Sequence, residues 1–247
     1  MTPLLLRSPL LDEHGFAHGF SLRTGGVSEG PFASLNLART VGDDPEHVAE
    51  NARRFARAVG VETLFEVSQV HGARVVEVGA QSDVMALGAE EADALIARAS
   101  GQAVAVRTAD CVPILIGDPR TGAVAAVHAG WRGVVARIVG ATIAKLGGDP
   151  AELVVAIGPH IRVERFEVGD EVATALAEVA HGEDVVRRGA GNPHVDLART
   201  LRAQLRALGA TRVDDVGGCT HTEPDRFFSH RRDDGVTGRH LSAIASR

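Results

Sequence analysis

Three residues of the types that bind transition metals lie beside glycine or at the ends of short apolar runs. Cys111 separates the runs AVAV and VPILI, His128 ends the run AVAAV, and His71 precedes Gly72. Such runs are typical of buried strands, and the strands of one sheet bring their ends close together. Two imidazoles and one thiolate suit zinc and leave a fourth position for water. The sequence therefore predicts an open, catalytic zinc site at His71, Cys111 and His128.

A metal is not the only interpretation of these residues. Cysteine is often simply buried, histidine is often a solvated surface residue, and the spacing matches no short zinc motif. A fourth protein ligand, for which His230 is available, would indicate a structural metal instead. Copper is the alternative ion, because nitrogen and sulfur donors bind it with higher intrinsic affinity than zinc. Asp110 is expected to point away from Cys111, since side chains alternate along a strand, and either to support the ligands from behind or to be a structural residue, rather than to bind the metal.

Further polar residues are predicted to surround the metal site and to bind substrate or phosphate. Arg132 begins the helix expected after HAGWRG, where free N–H groups and the helix dipole attract anions. A structural pairing of this arginine with a carboxylate is equally consistent with the sequence. Gln69 would share one face of a strand with His71. The residues assigned in this way are Arg23, Gln69, Asp93, Arg132 and Arg231.

The C-terminal segment FFSHRRDDGVTGRH concentrates histidine and arginine. Such a cluster is able to hold phosphate or a second metal, and it is equally typical of a surface network of ion pairs. The residues concerned are His230, Arg231, Arg232, Arg239 and His240.

Apolar periodicity predicts a mixed α/β (α+β) fold in a single domain over residues 1–247, because no linker interrupts the pattern. Strands are expected at the three runs around Cys111, at ELVVAI, at RVDDV and at the C-terminus. Two strands are expected to meet at His71. Helical patterns cover residues 45–59, 131–145, 168–181 and 195–208.

Composition excludes several classes of protein. A net charge of −6 and a pI near 6.0 argue against a general nucleic-acid or membrane-surface binder. Lys145 is the only lysine and tyrosine is absent, so a P-loop and a tyrosine acid are both excluded. Two cysteines make no disulfide framework, and no apolar run is long enough to span a bilayer. A soluble cytoplasmic protein, with a monomer favoured, is the expectation.

Six motifs in order carry a resemblance to a known family. They are HGFSLRTGGVS, SQVHG, TADCVPILI, VHAGWRG, IGPHI and FFSHRRD with TGR. Over nearly the whole chain the sequence resembles the YfiH-like laccase-domain family, also known as multicopper polyphenol oxidases and now associated with purine nucleoside phosphorylase activity. The resemblance implies a sandwich of mixed β-sheets between helical layers. It also implies that His71, Cys111 and His128 are the catalytic zinc ligands.

The resemblance implies phosphorolysis of adenosine, inosine, guanosine and methylthioadenosine, together with deamination of adenosine. It leaves alternatives open: a zinc amidase that edits peptidoglycan precursors, a copper-dependent polyphenol oxidase, and a non-enzyme with structural zinc. The oxidase is disfavoured by the residues, because a multicopper centre needs many paired histidines and this chain has no H-x-H pair. His160, in GPH, departs from the small residue expected there, and no role is assigned to it.

Overall fold

The computed structural model describes residues 4–247, and two mixed β-sheets form its centre. Strands are numbered β1 to β13 in chain order. The spatial order of the five-stranded sheet is β1 (Leu5–Leu6), β2 (His18–Ser21), β13 (His240–Ala245), β6 (Ala103–Thr108) and β3 (Leu64–Phe65). The spatial order of the six-stranded sheet is β12 (Arg212–Asp215), β9 (Val154–Ile157), β7 (Val112–Gly117), β8 (Val124–Ala129), β5 (Ala94–Ala97) and β4 (Val75–Val78). A separate hairpin pairs β10 (Val186–Arg187) with β11 (His194–Val195).

The two sheets pack face to face, and helices cover their outer faces. Along β6, Val104 and Val106 belong to the core between the sheets, whereas Ala105 faces the opposite side. This period of two is what two covered faces require. The helices are α1 (Pro9–Glu13), α2 (Pro45–Val59), α3 (Val84–Ala89), α4 (Trp131–Val135), α5 (Ile138–Leu146), α6 (Asp170–Glu178) and α7 (Leu197–Ala207), with short 3-10 turns at Gly30–Phe32 and Pro150–Glu152.

Helices α4 to α7 cover the outer face of the six-stranded sheet, and α2 covers the five-stranded sheet. Phe55 of α2, fully buried, packs with Leu241 and Ala243 of β13. Helix α2 has the ends that its sequence predicts, because Asp44 accepts the Glu46 N–H and Gly60 ends the helix at φ +88°. The layer order confirms the predicted sandwich of mixed sheets between helices. Of the part of the chain described, no helix combines the length and apolar character needed to cross a bilayer.

Two predicted elements differ from the structure. The helix expected over residues 131–145 is two helices, because Arg137 adopts a left-handed conformation at φ +58° between α4 and α5. The strand expected before His71 is reduced to the two residues of β3, and residues 66–74 are a loop. Ser68 in that loop forms an isolated bridge with Glu91, and the N–H groups of His71 and Gly72 bond to a side chain, as described below.

Candidate metal centre

The structure brings together the three residues that the sequence predicts as ligands. One donor atom from each of His71, Cys111 and His128 lies within 4.8 Å of the others. The Cys111 Sγ atom is 3.9 Å from His71 Nε2, and the two imidazole rings stand edge to face at 78°. Tetrahedral zinc, with bonds of about 2.0–2.3 Å, separates its donors by roughly 3.5 Å. The three side chains therefore fit a zinc ion after shifts of a few tenths of an ångström to about one ångström.

Neighbouring strands of the six-stranded sheet hold two of these ligands. Strands β7 and β8 pair antiparallel with Pro113 opposite His128, so Cys111, directly before β7, lies beside the end of β8. The next residue after β8 is Gly130. A Cβ atom at Gly130 would lie 2.7 Å from His71 Cδ2 and 3.1 Å from Cys111 Sγ. The glycine is thus required for the two ligands to converge above it.

Asp93 connects His71, the third ligand, to His128. It is fully buried directly before β5, and its carboxylate accepts a hydrogen bond of 2.8 Å from His128 Nδ1. The same carboxylate accepts the backbone N–H groups of His71 at 2.9 Å and Gly72 at 2.6 Å. These bonds hold the loop in which His71 takes the left-handed φ of +62°. A carboxylate behind a metal-binding histidine fixes its tautomer and leaves Nε2 for the metal.

The charges of the site favour a thiolate. Burial raises the pKa of Cys111, but the adjacent His128 and His71 outweigh burial and lower it to about 6. Burial lowers the pKa of His128, whereas the Cys111 thiolate and the Asp93 carboxylate raise it to about 9. Burial likewise opposes ionisation of Asp93, yet its bonds to His128 and Gly72 lower its pKa overall. A thiolate and an orienting carboxylate are the features that a bound divalent cation needs.

Asp110 anchors a different loop. It adopts φ +90°, and its carboxylate accepts the Thr220 hydroxyl at 2.6 Å and the Arg231 N–H at 2.7 Å. It does not belong to the donor group of His71, Cys111 and His128. Asp110 is therefore not a metal donor, as expected, but it lies outside β7 in a left-handed conformation, so strand alternation is not the reason.

The three donors open into a cavity of about 490 Å³, which is large enough for a nucleoside and a phosphate ion. Two arginines, Arg107 and Arg239, lie in its wall. The cavity is lined by Ala38, Thr40, Val41, Ser68, Gln69, His71, Gly88, Arg107, Thr108, Ala109, Cys111, His128, His230 and Arg239.

The five residues assigned to substrate or phosphate binding are spread over different places. Gln69 lines the cavity, but its side-chain amide both donates to the Arg107 carbonyl and accepts the Arg107 N–H, each at 2.7 Å. Asp93 lies buried behind the histidines. Arg23 donates to the carbonyls of Ala33 and Pro224. These bonds favour positioning roles for all three.

The two remaining residues lie outside the cavity of the metal donors. Arg132 is exposed and its guanidinium stacks on the ring of Trp131. Arg231 stacks on Phe166, donates to the Glu167 carbonyl and lines a second, shallow cleft of about 440 Å³. The expected helix start after His128 is therefore present, but its arginine is turned onto an aromatic ring.

The histidines and arginines of the C-terminal cluster are likewise divided among several places. His230 and Arg239 reach the cavity, whereas Arg231 lies in the second cleft. Arg232 forms an ion pair with Asp233, and His240 is buried in β13. The cluster is thus neither one anion site nor one surface network.

Sequence reasoning missed Arg107 as a cavity residue and Gly130 as a spacer. A signal existed for the arginine, because Arg107 stands near the end of the run AVAV, four residues before Cys111. No local signal marks Gly130, since its role depends on two side chains that other segments supply.

Comparison with known proteins agrees with this fold. A purine nucleoside phosphorylase of Deinococcus radiodurans is 42% identical over 245 residues, covering 97% of this chain and 92% of that protein. One from Pseudomonas aeruginosa is 41% identical, covering 90% of each chain. The crystal structure of YlmD from Geobacillus stearothermophilus matches with a TM-score of 0.90 and 35% identity, covering 100% of this chain and 97% of that one. Residues 17–247 match the family model described as multi-copper polyphenol oxidoreductase laccase, and the chain therefore belongs to that family.

Proposed function

We propose that this protein is a zinc-dependent purine nucleoside phosphorylase that acts on adenosine, inosine, guanosine and methylthioadenosine. One observation carries the proposal: an open group of three metal donors faces a cavity of nucleoside size whose wall carries two arginines. Phosphorolysis needs such positive charge, since it joins an anionic nucleophile to a neutral sugar. The names of the similar proteins support the same activity.

The donor set favours a catalytic zinc ion over the other metal roles. His230 lines the cavity but is not part of the donor group, so the described residues offer three ligands and leave one position open. Structural zinc sites are almost always closed by four protein ligands. A multicopper oxidase would need additional histidine-rich centres. Among the described residues a single group of metal donors is found, at His71, Cys111 and His128.

The reaction exchanges one bond at the sugar for another. A phosphate oxygen forms a bond to C1′, the C1′–N9 bond breaks, its electron pair leaves with the purine, and the proton lost by phosphate ends on the base. When bound, zinc supplies Lewis-acid chemistry, polarising an oxygen atom or lowering the pKa of a water molecule. The residues of this chain would hold that ion, fix the His128 tautomer through Asp93, and attract the anion through Arg239.

The open ligand position supports adenosine deaminase activity as a second reaction of the same site. Deamination replaces the amino group at purine C6 with an oxygen atom from water, and ammonia leaves with the proton that water supplies. This reaction consumes no phosphate. The same cavity would have to present C6 rather than C1′ to the donor group.

Turnover of adenosine with and without phosphate tests the proposal. We expect adenine and ribose 1-phosphate only when phosphate is present, and inosine in either condition. His71→Ala and His128→Ala, purified in the same way, control for a contaminating phosphorylase. Both products should disappear in these variants. Equal turnover in the wild type and the variants would assign the activity to a contaminant and remove the proposal.

A further inference from the structure

Among the described residues, Arg239 forms no ion pair with a carboxylate, in contrast to the other arginine of the cavity. Its Nη1 atom donates to the Thr237 and Gly238 carbonyls, at 2.9 and 3.1 Å, and its Nη2 atom donates to His230 Nδ1 at 3.3 Å. Of the five N–H groups of arginine, Nε–H and a second hydrogen on Nη2 have no partner among residues 4–247. Unpartnered N–H groups of a guanidinium are able to donate to the oxygens of a phosphate.

The other arginine of the cavity differs in this respect. Arg107 Nε lies 2.7 Å from the Glu66 carboxylate, and both side chains are about three-quarters buried, with 26% and 20% of their surfaces exposed. Its charge is therefore compensated within the protein. An anion entering the cavity meets net positive charge at Arg239 rather than at Arg107.

Arg239 is also held in place before any ligand binds. The side chain of Asn36, itself fully buried, accepts the Arg239 backbone N–H at 2.9 Å, and the Leu37 N–H donates to the Arg239 carbonyl at 3.0 Å. The two carbonyls bonded by Nη1 fix the plane of the guanidinium. A fixed cation loses little conformational entropy on binding, which makes such a site effective for a small ion.

His230 adds a second donor at the same place. Arginine only donates, so the bond from Arg239 requires His230 Nδ1 to accept, and the ring proton then resides on Nε2. The ring is positioned against Gly235, where an added Cβ would lie 3.2 Å from His230 Cε1. The pair lies in the wall of the same cavity as the three metal donors.

We propose that Arg239 and His230 form the phosphate subsite of this cavity, and that its ligand is inorganic phosphate. The inference rests on the proposed function and extends it. It transfers the anion-binding role from Arg132 and Arg231, which lie outside the cavity, to a pair that faces the metal donors. Phosphate held there lies in the same cavity as the open metal position, as attack on a bound nucleoside requires.

The test measures phosphate binding without turnover and the phosphate KM with adenosine. We expect calorimetric titration of the zinc-loaded protein with inorganic phosphate to give at least about tenfold weaker binding for Arg239→Gln, and a similar rise in phosphate KM. Arg98→Gln is the matched control. Arg98 also donates to two backbone carbonyls, those of Lys145 and Leu146, but lies away from the cavity.

Zinc content and thermal unfolding verify that each variant is folded and loaded. If Arg239→Gln does not fold, Arg239→Lys keeps the charge without the two-oxygen geometry, and His230→Ala removes only the second donor. Both should weaken phosphate binding several-fold. Titration with adenosine 5′-monophosphate separates free phosphate from a phosphate carried by the substrate.

The outcomes separate this inference from the proposed function. Phosphate binding that depends on Arg239, without nucleoside cleavage, would support the subsite and contradict the function. Cleavage with an unchanged phosphate KM in Arg239→Gln would contradict the subsite and leave the function standing. Absence of phosphate binding in the wild type, or a dependence on Arg239 for the monophosphate alone, would also overturn the inference.

Discussion

Replacement of Asp93 by asparagine is the sharpest test of how this site is built. One carboxylate oxygen accepts His128 Nδ1 and the His71 N–H, and the other accepts the Gly72 N–H. In Asp93→Asn one of these oxygens becomes an NH₂ group. That group donates, so in either orientation it faces at least one N–H that it cannot accept.

The stability lost in Asp93→Asn is large because Asp93 is buried. Hydrogen bonds to charged groups contribute about 1.5–3 kcal/mol each, and a buried donor left unpaired costs a further 1–3 kcal/mol. Asp93 is fully buried, so water cannot replace the lost acceptor. We expect Asp93→Asn to lower the free energy of unfolding by about 3–5 kcal/mol. Domains of this kind have about 5–15 kcal/mol, and the variant should therefore still fold.

Zinc affinity should fall as well, by about 10- to 100-fold, because the His128 ring loses its orienting partner and the His71 loop loses its anchor. The assays are competition with a zinc chelator and urea unfolding of the zinc-free protein. Asp118→Asn is the matched control. Asp118 is equally sheltered and accepts the Arg120 N–H and the Thr121 hydroxyl, but it lies in the turn at the far end of β7 and β8. The Asp118→Asn variant should lose stability and keep its zinc affinity. An Asp93→Asn variant that bound zinc as tightly as the wild type would refute the reasoning.

Four further outcomes are expected. The purified protein should carry about one zinc per chain, and elemental analysis of Cys111→Ala should show that most of it is lost. Gly130→Ala should lose zinc while circular dichroism shows the fold retained, because the exposed His71 ring turns away from the added methyl group. Gly140→Ala should instead raise the free energy of unfolding, measured with urea, by about 0.5–1 kcal/mol, since Gly140 lies inside α5 and an added methyl group meets its nearest neighbour, Leu208 Cδ1, at 3.8 Å. Burial and the charge of Arg162 lower the pKa of His160 to about 4. The free energy of unfolding should therefore be highest above about pH 6.5 and decrease by up to about 3 kcal/mol as the pH falls towards 4. Urea unfolding of the Cys111→Ser protein with and without His160→Asn measures this, and His160→Asn should flatten the decrease.

The sequence predicts the strands of this site well because both ends of each strand are marked locally. β7 and β8 are runs of buried apolar residues, and the DPRTG turn between them closes as expected, with the Gly122 N–H bonded to the Asp118 carbonyl. Once the hairpin is known, Cys111 and His128 must lie at the same end. Residue types and spacing are sufficient for that step.

The loop that carries His71 could not be predicted in the same way. The sequence predicts a strand that runs up to His71, whereas residues 66–74 form a loop in which the His71 and Gly72 N–H groups bond to the Asp93 carboxylate. The helix break at Arg137 is a similar case, because a single left-handed residue has no signature in the apolar pattern. The sequence could not show where the arginine side chains point for a related reason. The direction of a guanidinium depends on the carbonyls and rings around it, as for Arg132 on Trp131.

Two buried aspartates hold the loops around the cavity in the same way. Asp93 stands directly before β5 and collects N–H groups from the loop that carries His71. Asp110 stands just before β7 and collects the N–H of Arg231, the neighbour of His230. In each case the end of a rigid sheet holds a distant loop through a carboxylate that solvent barely reaches. Irregular loops therefore close this cavity with the precision of strands, because their backbone donors are bonded to the sheet rather than to water.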